Sequence, residues 1–572
     1  MKIDLEQKSK ELKELVSQFE TTMFLGEISS LMQFISVENP PQSLKGLSSP
    51  LRQLYYLAGL NLTSDPTKPL RPQFTQEEWD KMKELINEIE FGYQEFFYPK
   101  TEEEIDEEWK MRRMIAMPTF LNYFNQGPLN YEEQVIERVI EYFTPFNSEI
   151  KSQFGIDVND FIEIYTFIDT LPNKFLDEKI NRKDGQSWEE FAQSMIDKGL
   201  RPDEWNDHMP SHFKELFQFM YDKGKMHRFN IQQLTELFGA DKSNGFLNAL
   251  VCNRSASPFL YYTEANILHS KPIFKVNDNE FQSIELKQII HAIFNILFEF
   301  CTTTNSLKDK FYAVRGDKLE EKIETVFQKY FNNKATVYKS YYTTDGNEQD
   351  LLFLIDGGVA LIVEAKASKR KEPRRDPDKA YPLILSNFDE VIQKGYDQAY
   401  RVKSKFLDKE ILKLYSDQQL TKHIADINTK KYYHVFSIIV TLERFGQIQT
   451  DLSELLEIWD NDEFPLSICI DDLEIFLLTL TKLKRNKSEL VQFLHLREKL
   501  HEKLICSDEL EICGGFINKK ITYKMATQKN ILALTPDLSG IFDDHYHKGG
   551  IGFTNEKNMN FKTDSKYHII GK

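Results

Sequence analysis

The stretch NEQDLLFLIDGGVALIVEAKASKRK, Asn347–Lys371, is mostly apolar yet carries Asp350, Glu364 and Lys366. Two apolar runs, Leu351–Ile355 and Val359–Val363, flank Asp356-Gly357-Gly358, which is hairpin-turn chemistry. A two-residue loop would pair Asp356 with Val359 and set Asp350 opposite Ala365, on the face away from Glu364 and Lys366. A three-residue loop pairs Ile355 with Val359, and Asp350 then faces Glu364. Such loops are closed by a glycine in the left-handed region, and Gly358 stands at that place. In this register Asp350, Glu364 and Lys366 share one face, because strand side chains alternate with period two. Otherwise the hairpin is apolar on both faces, which belongs at the centre of a helix-covered sheet.

Directly opposed residues lie within about 5.5 Å at Cβ. Two carboxylates that close repel unless a cation sits between them. Hard carboxylate oxygens suit Mg²⁺, with Mn²⁺ as an alternative, and a bound dication suits phosphodiester hydrolysis. Lys366 is placed to orient the attacking water or to stabilise the pentavalent phosphorus. The plainer alternative is an ion pair between Glu364 and Lys366, but buried ion pairs are poor stabilisers. Asp345 and Glu348 are the replacements for Asp350 if the register differs.

Outward from the hairpin, Leu319, Ile323, Val326, Phe327 and Tyr330 form a helical stripe. ATVYKSYY is a strand candidate. A helix is expected over about Phe388–Phe406, and the strand YYHVFSIIVTLE (Tyr432–Glu443) follows. The order helix, three strands, helix, strand predicts an αβββαβ unit with a mixed sheet. Between hairpin and second helix, Lys366–Lys379 holds seven Lys or Arg and three acids. Lys369, Arg370, Lys371, Arg374 and Arg375 are the candidate phosphate contacts there. A merely solvated charged loop is the alternative.

This constellation resembles the PD-(D/E)xK, or restriction-endonuclease-like, nuclease superfamily. The residues that carry the resemblance are D-x13-E-A-K, from Asp350 to Lys366, on a central hairpin with a helix on either side. The family's Pro-Asp dipeptide is replaced by Gln349-Asp350. RGDKLEEKIETVF is similar to the G-x-x-x-E helix start of Mrr-like and NERD-type members, which implies that Gly316 opens the helix and that Glu320 adds a carboxylate. Glu321 and Glu324 are its rivals. YDQAYRV resembles the glutamine-bearing helix of several members, which implies a place for Gln398 beside the site. The resemblance thus implies catalytic Asp350, Glu364, Lys366 and Gln398, with Asp350, Glu364, Glu320 and Ala365 at the metal. It covers about Val314–Glu443. The flanks look like those of bacterial proteins with a nuclease core that act in antiphage defence.

The whole chain of 572 residues is predicted to be multidomain α/β. A mainly helical region is expected over 1–268, the nuclease core with a lead-in hairpin (Lys271–Ile284) and helix over 269–450, and an α+β domain over 451–572. A formal net charge of −17 argues against a protein coated in basic surface. Five scattered cysteines offer no zinc or disulfide pattern and fit a reducing cytoplasm. No apolar run is long enough to span a bilayer. HYHKGG (His545–Gly550) lacks further ligands in spacing. The expected function is Mg²⁺-dependent cleavage of nucleic acid, double-stranded DNA rather than RNA, with a homo-oligomer or an activating protein as a further partner. The rivals are a catalytically silent nuclease-fold protein that binds nucleic acid or serves as a scaffold, and a recombination or transposition subunit.

Overall fold

The computed structural model describes residues 3–35, 41–66, 70–99, 105–125, 130–180, 187–368, 371, 374–528 and 530–556. It is a large protein of mixed helical and sheet regions that divides into two compact units. Unit 1 comprises Met1–Glu95 with Val135–Thr304, and unit 2 comprises Phe96–Gln134 with Asn305–Lys572. This division cuts across the three consecutive regions expected from the sequence. The lead-in hairpin, Ile273–Lys275 with Glu280–Ser283, pairs as expected but lies in unit 1. The helix that follows it, Leu286–Thr303, lies there too. The expected C-terminal domain is not set apart from the core: Leu466–Cys469 adds a strand to the same sheet.

Unit 1 is mainly helical, with one small four-stranded sheet. Its helix Glu132–Phe143, which crosses the unit boundary, buries Val135, Val139 and Phe143 on one stripe. In an α-helix, positions three and four apart face the same way, so this spacing buries one side.

Unit 2 holds a seven-stranded sheet. In chain order its strands are β1 (Thr336–Tyr342), β2 (Glu348–Ile355), β3 (Val359–Lys366), β4 (Ile411–Tyr415), β5 (His423–Asn428), β6 (His434–Thr441) and β7 (Leu466–Cys469). Their spatial order is β7-β6-β3-β2-β1-β4-β5. β3, β6 and β7 run parallel to one another, while the pairs from β3 through β2, β1 and β4 to β5 are antiparallel. The apolar hairpin β2–β3 is therefore central, as its two-sided apolar pattern requires.

The register follows the three-residue loop: Ile355 pairs with Val359 and Leu351 with Val363. Gly358 has φ +78°, and Gly357 is also left-handed at +88°. The turn thus uses two left-handed glycines rather than one. A Cβ on Gly358 would lie 2.5 Å from the Tyr433 ring, so a side chain there is excluded twice over.

Helix α1 (Asn305–Tyr330) buries Leu319, Ile323, Val326, Phe327 and Tyr330, the stripe read in the sequence. Phe327 meets Phe353 of β2 with ring centroids 4.9 Å apart. Gly316 does not open this helix. The helix runs continuously from Asn305, and Gly316 lies in its interior with open space where a Cβ would sit. Helix α2 (Pro377–Phe388) occupies ground read as the end of a loop and the approach to one longer helix; Asp376 caps it and Pro377 starts it. A single π turn, Asp389–Gln393, leads into α3 (Lys394–Leu407). On the α3 side, Leu352, Leu354, Ala360 and Ile362 pack with Ala399, Val402 and Phe406.

Candidate active site

The polar residues gather where β2 and β3 run past their last paired residues. Asp350 directly precedes Leu351, and its Oδ2 accepts the Ala365 amide at 2.7 Å. Leu442 N–H donates to the Lys366 carbonyl, which is how parallel β6 continues along β3. Strand alternation therefore leaves the Ala365 carbonyl on the β2 side, beyond the Leu351–Val363 pair.

Lys366 stands between the carboxylates. Its Nζ lies 3.2 Å from Glu364 Oε2, 3.8 Å from Asp350 Oδ2 and 2.6 Å from Gln398 Oε1. The ammonium donates to Gln398, which α3 brings to the site. That close approach depends on Gly395: a Cβ there would lie 3.1 Å from Lys366 Cε and 3.0 Å from Ile439 Cγ2. Glycine thus lets the lysine stem pass between helix and sheet.

Glu364 is fully buried, and its Oε1 has no hydrogen-bond partner among the described residues. Burial first, then the Asp350 charge, pushes its carboxyl up to about 8. Glu320, on α1, is pushed up to about 7 by burial and by Asp350, while Lys339 and the Ser340 hydroxyl act the other way. Tyr341 is also fully buried with its hydroxyl unpartnered among the described residues. Burial, then Glu364 and Asp350, holds that phenol well above its ordinary range. Three carboxyl groups and a phenol thus share one poorly solvated region, where negative charge is costly without a cation.

Among the described residues, no three His, Cys, Asp or Glu side chains are already gathered around a point that could hold a metal ion. The place between Asp350 and Glu364 is filled by Lys366 Nζ, a monovalent cation on a flexible stem. The donor set nevertheless suits a hard dication: Asp350, Glu364 with its orphaned Oε1, the Ala365 carbonyl, and Glu320 from the α1 side.

Asp345 is not a substitute for Asp350. It accepts from the Thr343 hydroxyl at 2.5 Å and the Asn347 amide at 3.2 Å, which makes it the anchor of the β1–β2 turn. Glu348 sits opposite Tyr342, an exposed residue at the start of β2. Of the loop cations, Lys371 is engaged: its amide donates to Asn387 Oδ1 at 3.0 Å and its Nζ pairs with Glu390 at 3.2 Å. Arg374 and Arg375 are exposed. Lys369 and Arg370 lie outside the described residues. His545 and His547 end a short helix, Gly540–His547. The five cysteines are buried thiols. Among the described residues no helix is long and apolar enough to cross a membrane.

Two residues beside the site escaped the sequence reading. Ser340 bonds Glu320 through its hydroxyl at 3.3 Å from within β1, and Gly395 lies inside the helix expected over about Phe388–Phe406 without a role of its own there. A serine in a strand and a glycine in a helix leave no signal until the elements are packed.

No family model matches the chain, and no solved structure matches it. A polyribonucleotide nucleotidyltransferase from Rickettsia canadensis (strain McKiel) is 31% identical over 88 residues, which is 15% of this chain and 12% of that protein. The chain matches about an eighth of that relative's length, too little to establish a family.

Proposed function

We propose that unit 2 is a metal-dependent nuclease core that hydrolyses phosphodiester bonds, with double-stranded DNA as the substrate. The observation that carries this reading is the convergence of Asp350, Glu364 and Lys366 at one end of a central hairpin, with Glu364 fully buried and one of its oxygens unpartnered. A buried, half-satisfied carboxylate next to a second carboxylate costs stability and supports a functional rather than a structural role. The arrangement of α1, the antiparallel strands β1–β3, α3 and parallel β6 supports a restriction-endonuclease-like core.

In this reading Asp350, Glu364 and the Ala365 carbonyl hold Mg²⁺ or Mn²⁺, with Glu320 completing the acidic wall. The bound ion supplies a Lewis acid for the phosphodiester and lowers the pKa of water. The Ala365 amide fixes Asp350 in place. Gln398 Oε1 holds one Lys366 N–H, so the remaining N–H groups of Nζ point toward the carboxylate mouth, where a phosphate oxygen or the attacking water is stabilised. The apolar walls of the hairpin exclude bulk water from Glu364. Arg374 and Arg375 supply local positive charge for drawing a polyanion to a chain of net −17. We further propose a cytoplasmic protein acting in bacterial defence, with unit 1 as its sensing or oligomer-forming part.

A second reading has its own observation. Lys366 Nζ occupies the space between the carboxylates, and among the described residues no ready-made three-carboxylate cluster surrounds it. That arrangement suits a catalytically silent protein that keeps the fold for binding nucleic acid or as a scaffold. Cleavage of duplex DNA by the purified chain with Mg²⁺ or Mn²⁺ separates the two. Metal-dependent product supports the nuclease, and binding without cleavage under any metal supports the silent protein.

A further inference from the structure

Strand β1 contains a residue that a strand should not tolerate. Ser340 has φ +46°, the left-handed region, although it is neither glycine nor asparagine and lies between residues that pair normally. Lys339 pairs with Leu351 and Tyr341 with Gln349, while Ser340 has no partner in the ladder, directly across from Asp350. Left-handed serine inside a strand is strained, and such strain concentrates at functional sites.

The kink changes which way the neighbouring side chains point. Unbroken alternation would send Tyr338 and Tyr341, three residues apart, to opposite faces. Both instead pack in the layer formed with Leu352, Leu354, Ile362 and α3. On the other side, Lys339 and Ser340 both act on Glu320 of α1: Lys339 through its charge, and Ser340 through the hydroxyl that donates to Oε2 at 3.3 Å. Two adjacent residues thus serve one carboxylate, which a regular strand cannot arrange.

The geometry points to Ser340 as a positioning residue: its left-handed backbone aims the hydroxyl at Glu320 and holds that carboxylate toward Asp350 as part of the cation site. This rests on the reading of Asp350, Glu364 and Glu320 as a metal centre. It goes beyond that reading by assigning a function to a residue that touches neither metal nor substrate. A hydrogen-bonded second residue that orients a metal-binding carboxylate commonly contributes 10- to 100-fold in affinity, and this bond is long and exposed, so about tenfold is expected.

The test is calorimetric titration of Mn²⁺ into the full-length protein and three variants. Ser340→Gly keeps the left-handed backbone without strain but removes the hydroxyl. Ser340→Ala removes the hydroxyl and retains the strain. Ser340→Asn tolerates the left-handed region and restores a donor. The expected result is Mn²⁺ affinity lowered about tenfold in the Gly and Ala variants, and restored to near the parent value by Asn. Thermal melting of Ser340→Gly at or above the parent midpoint shows that the loss is not one of folding. Parent-like Mn²⁺ affinity in Ser340→Gly overturns the assignment while leaving the metal centre standing. So does an Asn variant as weak as Gly, because the donor would then be immaterial. Absence of Mn²⁺ binding by the parent protein overturns the metal centre itself, and the role of Ser340 with it.

Discussion

Asp350 Oδ2 accepts the main-chain amide of Ala365 at 2.7 Å, joining the two strands of the hairpin one step past their last paired residues. The bond fixes the carboxylate, and Lys366 Nζ lies 3.8 Å from the same oxygen. Asp350→Ala should therefore abolish metal-dependent cleavage, by roughly 10²–10⁴-fold or more, as is usual for loss of a group in acid–base or metal chemistry. The fold should persist, because one bond at a partly exposed strand end is worth about 1 kcal/mol. Single-turnover cleavage rates with circular dichroism check both parts. A parent-like rate removes Asp350 from the site.

Glu364 gives a pH-dependent prediction. Its folded pKa, about 8, lies above the ordinary carboxylate value because burial and then Asp350 disfavour the charge. The folded state thus holds a proton that the unfolded state has lost, between the ordinary value and about pH 8. Stability from this group is present at low pH and is lost as pH rises through that window. Glu364→Gln should raise the metal-free unfolding free energy at pH 8, by an amount on the order of 2–4 kcal/mol, and with it the melting temperature, with little difference near pH 4. Mg²⁺ should stabilise the parent at pH 8 and not the variant. Scanning calorimetry at both pH values, with and without Mg²⁺, reads all four outcomes.

Gln398 holds the Lys366 ammonium at 2.6 Å. Gln398→Ala should release Nζ to the carboxylates and slow cleavage about 10- to 100-fold, within the range of general acid–base contributions. Mn²⁺ affinity should fall less than the rate does, because Gln398 orients the lysine and does not face the cation. An unchanged rate places Gln398 among ordinary helix-surface amides.

Arg374 is exposed on the segment that follows the strand bearing Lys366, whereas Lys371 is tied to Glu390. Arg374→Ala should weaken duplex binding and flatten the dependence of log affinity on log salt by about 0.9, the value of one phosphate contact. Lys371→Ala should change the slope less. Titrations of the cleavage-dead Glu364→Ala protein over a range of salt make the comparison. Equal slopes for parent and Arg374→Ala mean that the arginine is solvated.

Much of the core was legible because its signals are local. The α1 stripe, the two apolar runs and the Asp-Gly-Gly turn each follow from periodicity or backbone preference, and together they set the register that faces Asp350 toward Glu364. The outer strands β4 and β5 were not legible. Ile411–Tyr415 and His423–Asn428 are short, and β5 is mostly exposed at the sheet edge, so neither carries the apolar run that marks a central strand. β7 was missed because Leu466–Cys469 is only four residues long and runs straight into a helix. Gly316 was misplaced because a glycine-led pattern was read as a helix start, while open space around it allows a continuous helix. The roles of Ser340 and Gly395 depend on what packs opposite them, which no sequence window contains.

The central claim is that Asp350, Glu364 and Lys366 form a metal-dependent phosphodiesterase. Its most direct test is single-turnover cleavage of end-labelled duplex DNA by the purified full-length chain, in Mg²⁺ or Mn²⁺ and in EDTA, beside Glu364→Ala. The account predicts product with either metal in the parent, none in EDTA, and none with Glu364→Ala at equal DNA occupancy. Metal-independent product, or equal product from parent and Glu364→Ala, would contradict it.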